Sequence, residues 1–180
     1  SKKAVYNKKE GRIEFTRDVN FDDEIKNIKI KSDQVIYDIN EDIVFIKENS
    51  ELNINNKYNV RSDDIYYDRI ENKIFGSDDT LIEDSEGNLY KLKNKFELNL
   101  DKKILKATNS FIIDKEDNKY IFENLILNLE NNEIAGKEIK VEFNKNYFGN
   151  KNNDPQLKGR GGYSNDEELK VFKAVFSTCN

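Results

Sequence analysis

The chain has 180 residues, 36% apolar and 36% charged, with a net charge of −5 and both signs interspersed throughout. That length suits one domain, and the apolar share suits a narrow sandwich with one buried face per strand. The absence of a basic stripe with interleaved aromatics argues against nucleic acid as a partner, and no apolar run approaches the roughly 20 residues of a membrane-spanning helix.

Almost every segment alternates at period two. Ile13, Phe15, Val19 and Phe21 share one parity, broken at Arg17. Ile28 and Ile30 follow, then Val35 and Tyr37, then Leu52, Ile54, Tyr58 and Val60 around Asn56. Tyr90, Leu92, Phe96, Leu98 and Leu100 form the longest stretch. Tyr120 with Phe122, the series Leu125, Leu127 and Leu129, and the series Ile139, Val141 and Phe143 complete the set. Such alternation predicts strands with these side chains on one face and Lys, Glu, Asp and Asn on the other. No stretch carries apolar positions at helical spacing; the nearest candidate, Asp22 to Ile30, ends in strand parity. The single proline, Pro155, lies outside the alternating segments, as a paired sheet requires.

A longer period overlies the alternation. Runs centred on Tyr6, Tyr37, Tyr67, Leu98 and Leu127 each lead into a polar turn, and a second run begins about seven residues later, at Ile13, Val44, Ile74, Leu105 and Ile134. The first anchors are 31, 30, 31 and 29 residues apart. A fixed period of this size marks a stack of one supersecondary unit, here two strands and a tight turn. Stacked strands make a long continuous channel or face instead of a small-molecule pocket.

The organisation changes after Phe148. Gly149 to Asp166 is rich in Asn and Gly and reads as a loop. A final alternating run, Leu169 to Phe176, ends in Ser177-Thr178-Cys179, an ending expected of a piece cut from a longer protein or of the end of an ordered region. With no signal-peptide pattern, an exported protein would be represented here by its mature portion or a fragment.

Chemistry-bearing constellations are few. The chain has no His, the commonest acid-base group and metal ligand. The acidic pairs Asp63-Asp64 and Asp78-Asp79 lack the spacing of a calcium loop and read as solvated turns. Gly159-Arg160-Gly161-Gly162 lacks the Lys-Ser/Thr of a phosphate loop. Ser and Thr have no His partner for nucleophilic catalysis. No catalytic residue, metal or cofactor is therefore expected. Cys179, the one cysteine, is either free or paired outside this chain. The apolar face has two open readings, a filled core or a partly open core that accepts a long apolar ligand. Its bulky members, Phe15, Phe21, Tyr37, Phe45, Tyr67 and Phe96, recur along the whole length.

Three stretches carry a family resemblance: Ala4-Val5-Tyr6-Asn7 with the run to Val19, Ser32-Asp33-Gln34-Val35-Ile36-Tyr37-Asp38, and Arg61-Ser62-Asp63-Asp64-Ile65-Tyr66-Tyr67-Asp68. In each, a small or acidic residue, an apolar residue and a Tyr-Asp or Tyr-Asn turn follow in order. This resembles the OstA-like β-jellyroll of the lipopolysaccharide transport proteins. Leu157-Lys158-Gly159-Arg160 and Lys173-Ala174-Val175-Phe176-Ser177-Thr178-Cys179 look like the stretch where the jellyroll of the family's outer-membrane member hands over to its β-barrel. The chain departs from the family at Arg17-Asp18-Val19, where Gly-Asn-Val is common, and in lacking a second cysteine near its start.

The resemblance implies an all-β, antiparallel β-jellyroll of two facing sheets with an open hydrophobic groove, residues 1–148, followed by a segment, 149–180, leading towards a barrel outside this chain. It implies a domain at the periplasmic face of the outer membrane that receives lipopolysaccharide from a bridging protein and delivers it to that barrel. The implied groove residues are Phe15, Val19, Phe21, Ile28, Ile30, Val35, Tyr37, Phe45, Leu52, Ile54, Tyr58, Val60, Ile65, Tyr67, Leu92, Phe96, Leu98, Leu125 and Leu127. The implied partners are lipopolysaccharide acyl chains, a like periplasmic bridging domain joined by edge-strand pairing, and the chain's own C-terminal barrel with its lipoprotein plug. Cys179 is implied to form a disulfide with a cysteine beyond Asn180. The alternatives are a bridging or inner-membrane-anchored member of the family and, from other classes, a structural or adhesive β-solenoid with a filled core or a carbohydrate-binding or carbohydrate-cleaving repeat protein with exposed aromatic platforms and a close carboxylate pair.

Overall fold

In the computed structural model the described residues are 1–77, 79–144, 155–165 and 167–178, and they contain strands and turns but no helix. In chain order the strands are β1 (Lys3–Asn7), β2 (Arg12–Asp23), β3 (Ile28–Asp38), β4 (Ile43–Ile54), β5 (Tyr58–Asp68), β6 (Lys73–Gly76), β7 (Thr80–Asp84), β8 (Leu89–Leu92), β9 (Phe96–Asn99), β10 (Ile104–Ile113), β11 (Lys119–Asn128), β12 (Glu133–Glu142), β13 (Gln156–Ser164), β14 (Leu169–Phe172) and β15 (Val175–Ser177). All 15 pair antiparallel in one sheet, mostly in sequence order. Between the long strands β5 and β10, four short strands fill the gap: β6 and β9 at one level, β7 and β8 at the other.

The repeat of about 30 residues is the register of this sheet. Tyr6, Ile13, Tyr37, Val44, Tyr67, Ile74, Leu98, Leu105, Leu127 and Ile134 are consecutive cross-strand partners in one row. The turns that set the row repeat one geometry. After each first anchor an Asx residue (Asn7, Asp38, Asp68, Asn99 or Asn128) accepts backbone N–H bonds from the turn through its side-chain oxygen. Two residues before each second anchor, Gly11, Asp42, Asn72, Lys103 or Asn132 has a left-handed φ of 51–66°. Successive turns are also tied together: the amides of Ile39, Arg69, Leu100 and Leu129 donate to the carbonyls of Gly11, Asp42, Asn72 and Lys103 in the turn before.

The long strands bend at their middles. Register slips fall between Thr16 and Val19, Lys31 and Gln34, and Lys47 and Ser50, and left-handed residues sit at Arg17, Asp18, Glu48, Asn49, Asn109 and Glu138. These are β-bulges, which turn a strand sharply. The bend divides the sheet into two leaves that close on each other. One guanidinium demonstrates the closure: Arg69 Nε lies 3.1 Å from Asp23 Oδ2 and its Nη1 lies 2.8 Å from Asp42 Oδ1. The β3 strand runs between those two carboxylates, and a straight strand of that length would hold them roughly 35 Å apart. At the inner side of the bend the residues are small and hydroxylated: Ser32, Ser50, Ser62, Thr80 and Ser110 are all buried. The space between the leaves narrows there, and a bulkier row would force them apart.

Two sequence expectations are corrected. The Gly-rich segment read as a loop contains β13, paired with β12, β14 and β15. Its glycines fit because the neighbours come close: a Cβ on Gly162 would lie 2.6 Å from Ile139 Cδ1 and 2.7 Å from the Lys170 carbonyl oxygen. Phe45, expected inside, points outwards. Its neighbours Val44 and Ile46 are both fully buried, so alternation assigns Phe45 to the opposite face.

Candidate functional site

The interior holds the residues that sequence singled out. Val19, Ile28, Ile30, Val35, Leu52, Ile54, Tyr58, Val60, Ile65, Tyr67, Leu92, Phe96, Leu98, Leu125 and Leu127 are buried in one cluster, and Phe15, Phe21 and Tyr37 pack half-buried against it. A second inner row, on the other leaf, runs Phe21, Ile30, Leu52, Val60, Ile82, Tyr90, Ile112, Tyr120, Val141, Leu157 and Phe176. Between the leaves the space is small: about 10 Å³ among Tyr58, Val60, Ile82, Tyr90, Leu98, Leu105 and Leu129. Close packing of this kind is normal for a protein core.

At the rim opposite the bend, polar side chains cross between the leaves. Besides the two Arg69 ion pairs, the Tyr67 hydroxyl donates to Asp23 at 3.4 Å and the Tyr58 hydroxyl to the Leu129 carbonyl at 3.3 Å. Burial disfavours the charged form of Arg69, but the hydrogen bonds and charges of Asp23 and Asp42 outweigh it and raise the pKa further above its ordinary value. Burial, aided by Asp23, pushes the Tyr67 phenol well up. Two further turns, Asp84 to Tyr90 and Asp114 to Tyr120, share the pattern Asp-x-Glu-x-Asn-x-Tyr. In both, the carboxylate accepts from two backbone amides, the Asn side chain and the Tyr hydroxyl. Burial works to raise the Asp84 pKa, yet these donors hold it below the usual range. Burial and Asp84 together raise that of Tyr90.

A large concavity lies on the outer face, a place sequence reading missed. It measures about 970 Å³, within the size range of ligand sites. Its floor crosses from β6 to β13 over three successive cross-strand rows. One outer row supplies Phe75, Glu97, Lys106, Ile126 and Ala135. The next supplies Gly76, Phe96, Ala107, Leu125, Gly136 and Gly162. The third includes Lys95, Thr108, Asn124, Lys137, Gly161 and Phe172. The middle row turns inwards, since a Cβ on Gly136 or Gly162 would meet the core residues Phe122 or Ile139, and the hollow above it is open where the outward positions Ala135 and Gly161 are small. Beside it the aromatics continue across the sheet: Phe45 meets Tyr66 edge-on at 5.1 Å, and Tyr66 stacks on Phe75 at 5.3 Å and 5°. The signal available in sequence was the run of small residues Ala107, Ala135, Gly136, Gly161 and Gly162 at facing register, visible only once the strands are paired.

The remaining candidates separate. Asp63 is exposed at the bend and Asp64 half-buried beside it; Asp78 and Cys179 lie outside the described residues. No group of three or more His, Cys, Asp or Glu is placed to hold a metal ion among the described residues. Gly159 to Gly162 are strand residues. No known family model matches the chain, and no curated protein matches it.

Proposed function

We propose that this chain is a periplasmic lipopolysaccharide-binding and transfer domain, an OstA-like β-jellyroll like that of the outer-membrane LPS-assembly protein. The observation that carries the reading is the anchor row: ten cross-strand partners, one per strand segment, make the interior apolar from one edge of the stack to the other. At the edges the lining comes out to solvent, with Tyr6 53% and Phe176 52% exposed. On this reading those edges pair with a like bridging domain and with the segment leading to the barrel.

The leaves open as a clam does. On one side they are joined by bent backbone; at the rim they are joined by side chains, chiefly through Arg69 and Tyr58. An acyl chain of roughly 12 carbons buried at about 0.8 kcal/mol per methylene gains on the order of 10 kcal/mol, enough to offset the rim contacts. With no polar group along the anchor row except the hydroxyls of Tyr6 at the open edge and of Tyr37 and Tyr67 at the rim, the chain slides. Cys179 is then disulfide-bonded to a cysteine beyond Asn180 in the full-length protein, so that Cys179→Ser alters its migration on non-reducing gels.

The test places a photo-crosslinking residue at Ile54 or Leu98, inside, and at Lys31 or Lys91, outside. Capture of lipopolysaccharide in cells at the inner pair alone is expected. Equal capture at both pairs, or none at either, overturns the reading. A structural β-solenoid with a filled core is the second reading, favoured by the close packing between the leaves, and it predicts no capture.

A further inference from the structure

The outer concavity faces away from the interior, and its chemistry is of another kind. Its floor presents the apolar groups Phe75, Ile126 and Phe172, with Glu97 and Lys106 in the same row between Phe75 and Ile126. It spans six strand positions from β6 to β13, roughly 24 Å at about 4.8 Å per strand, and is three residue rows wide, roughly 7 Å. That is the outline of one extended hydrocarbon chain, too narrow for two side by side. Ile126 is 47% and Phe172 59% exposed, so the floor is apolar surface in contact with water, which favours a ligand that covers it. Tyr66 already stacks on one face of Phe75. Charge completes the description. Lys95, Lys106 and Lys137 line it against the single Glu97. None of the three makes an ion pair among the described residues, although eleven such pairs occur elsewhere on them.

We infer that this concavity binds a single-chain fatty acid, its hydrocarbon lying across β6 to β13 and its carboxylate held by Lys95, Lys106 or Lys137. The inference stands apart from the interior reading and survives its failure.

Dodecanoate, kept below its micelle concentration, is titrated into the 180-residue chain and followed calorimetrically and by backbone amide shifts. One-to-one binding is expected, with shifts at Gly136, Gly161 and Gly162 and none at Leu52. Dodecanol, which lacks the charge, is expected to bind about tenfold more weakly, as is a Lys95→Gln/Lys106→Gln/Lys137→Gln variant. Gly161→Leu fills the hollow beside Phe172; a Cβ there meets nothing closer than 3.5 Å, so the fold is kept and binding is lost. Ile126→Glu, at an exposed position, provides a second blocking variant by placing a carboxylate on the floor. Unchanged binding in either folded variant, equal affinity for dodecanol, or shifts centred on Leu52 overturns the proposal. So does a concentration-dependent dimer that Gly161→Leu abolishes in a chain that ignores dodecanoate, since the face would then join two copies.

Discussion

The two faces of the same strands obey different rules. On the inner face the anchor row is apolar at every step from Tyr6 to Ile134, so each hairpin presents the next with the same surface. On the outer face the adjacent row runs Glu14, Ile36, Phe45, Tyr66, Phe75, Glu97, Lys106, Ile126, Ala135 and Tyr163. It opens with Glu14 and Ile36, is aromatic over β4 to β6, charged at Glu97 and Lys106, and small only at Ala135 before it ends on Tyr163. A uniform row builds an extended slab with no preferred position along it. A row that changes composition builds a place, and the concavity lies where aromatics give way to Ala and Gly. Repetition thus supplies the scaffold, and departures from it supply specificity.

The largest effect should separate the faces by stability. Leu52 is fully buried and Ile126 nearly half exposed. Leu52→Ala is expected to cost about 3 kcal/mol and Ile126→Ala under about 0.5, measured as shifts of the urea midpoint at constant slope. Equal costs would mean that the outer row is core as well.

Nearly as large is the alkaline response of the inner face. Tyr67 and Tyr90 are buried with raised pKa values, so the folded state holds their protons more tightly than the unfolded chain does. Their contribution is complete below the unfolded value near 10 and is lost as pH rises from there through the folded values. The loss is about 1.4 kcal/mol per tyrosine for each pH unit. Melting temperature should fall steeply above pH 10, and the Tyr67→Phe/Tyr90→Phe double variant should remove most of that slope. Asp84, held low, acts oppositely: its contribution is present above about pH 4 and is lost as pH falls through its folded value.

The strand pattern was legible because each hairpin repeats one arithmetic: an anchor, an Asx, a left-handed residue and a second anchor. Tyr37 to Val44 and Leu98 to Leu105 follow it equally. The closure was not legible, since Arg69 meets Asp23 across 46 positions and no local pattern announces such a contact. Phe45 was misread because Ile43-Val44-Phe45-Ile46 is apolar on both faces and carries no parity signal. The strand β13 was missed because Gly159, Gly161 and Gly162 have poor strand propensity. Here a close approach of backbones decides the matter. The outer concavity is made by side chains that are absent, and an absence acquires a position only when its neighbours across the sheet are known.

Removing the rim contact should have an intermediate effect. Arg69→Met leaves the Asp23 carboxylate, 4% exposed, without its cation, at a cost of about 2 kcal/mol given that Arg69 itself is 30% exposed. Amide exchange should quicken along both inner rows while the outer row keeps its protection. Exchange that quickens everywhere would deny Arg69 its role between the leaves. Glycines sharpen the contrast at a smaller scale: Gly162→Ala should cost about 1–2 kcal/mol through the Lys170 carbonyl, and Gly161→Ala almost nothing. Thermal melts of the two variants decide it.

The smallest effect lies in the turns that hold the two faces in step. The left-handed position before each second anchor carries Gly11, Asp42, Asn72 and Asn132, residue types that tolerate positive φ, and in one turn Lys103 at 54°. A lysine there strains its backbone by about 1 kcal/mol relative to glycine. Against this, Lys103 pairs with Glu130 at 2.6 Å, with both side chains more than half exposed, a contact worth a few tenths of a kcal/mol at most. Glycine also raises the entropy of the unfolded chain, which removes part of the gain. Lys103→Asn avoids that loss and keeps the conformation, so it should stabilise by about 0.5 kcal/mol and Lys103→Gly by less. A lower urea midpoint for Lys103→Asn would mean that the Glu130 contact, and not the turn's backbone, sets the spacing between the β9–β10 and β11–β12 turns.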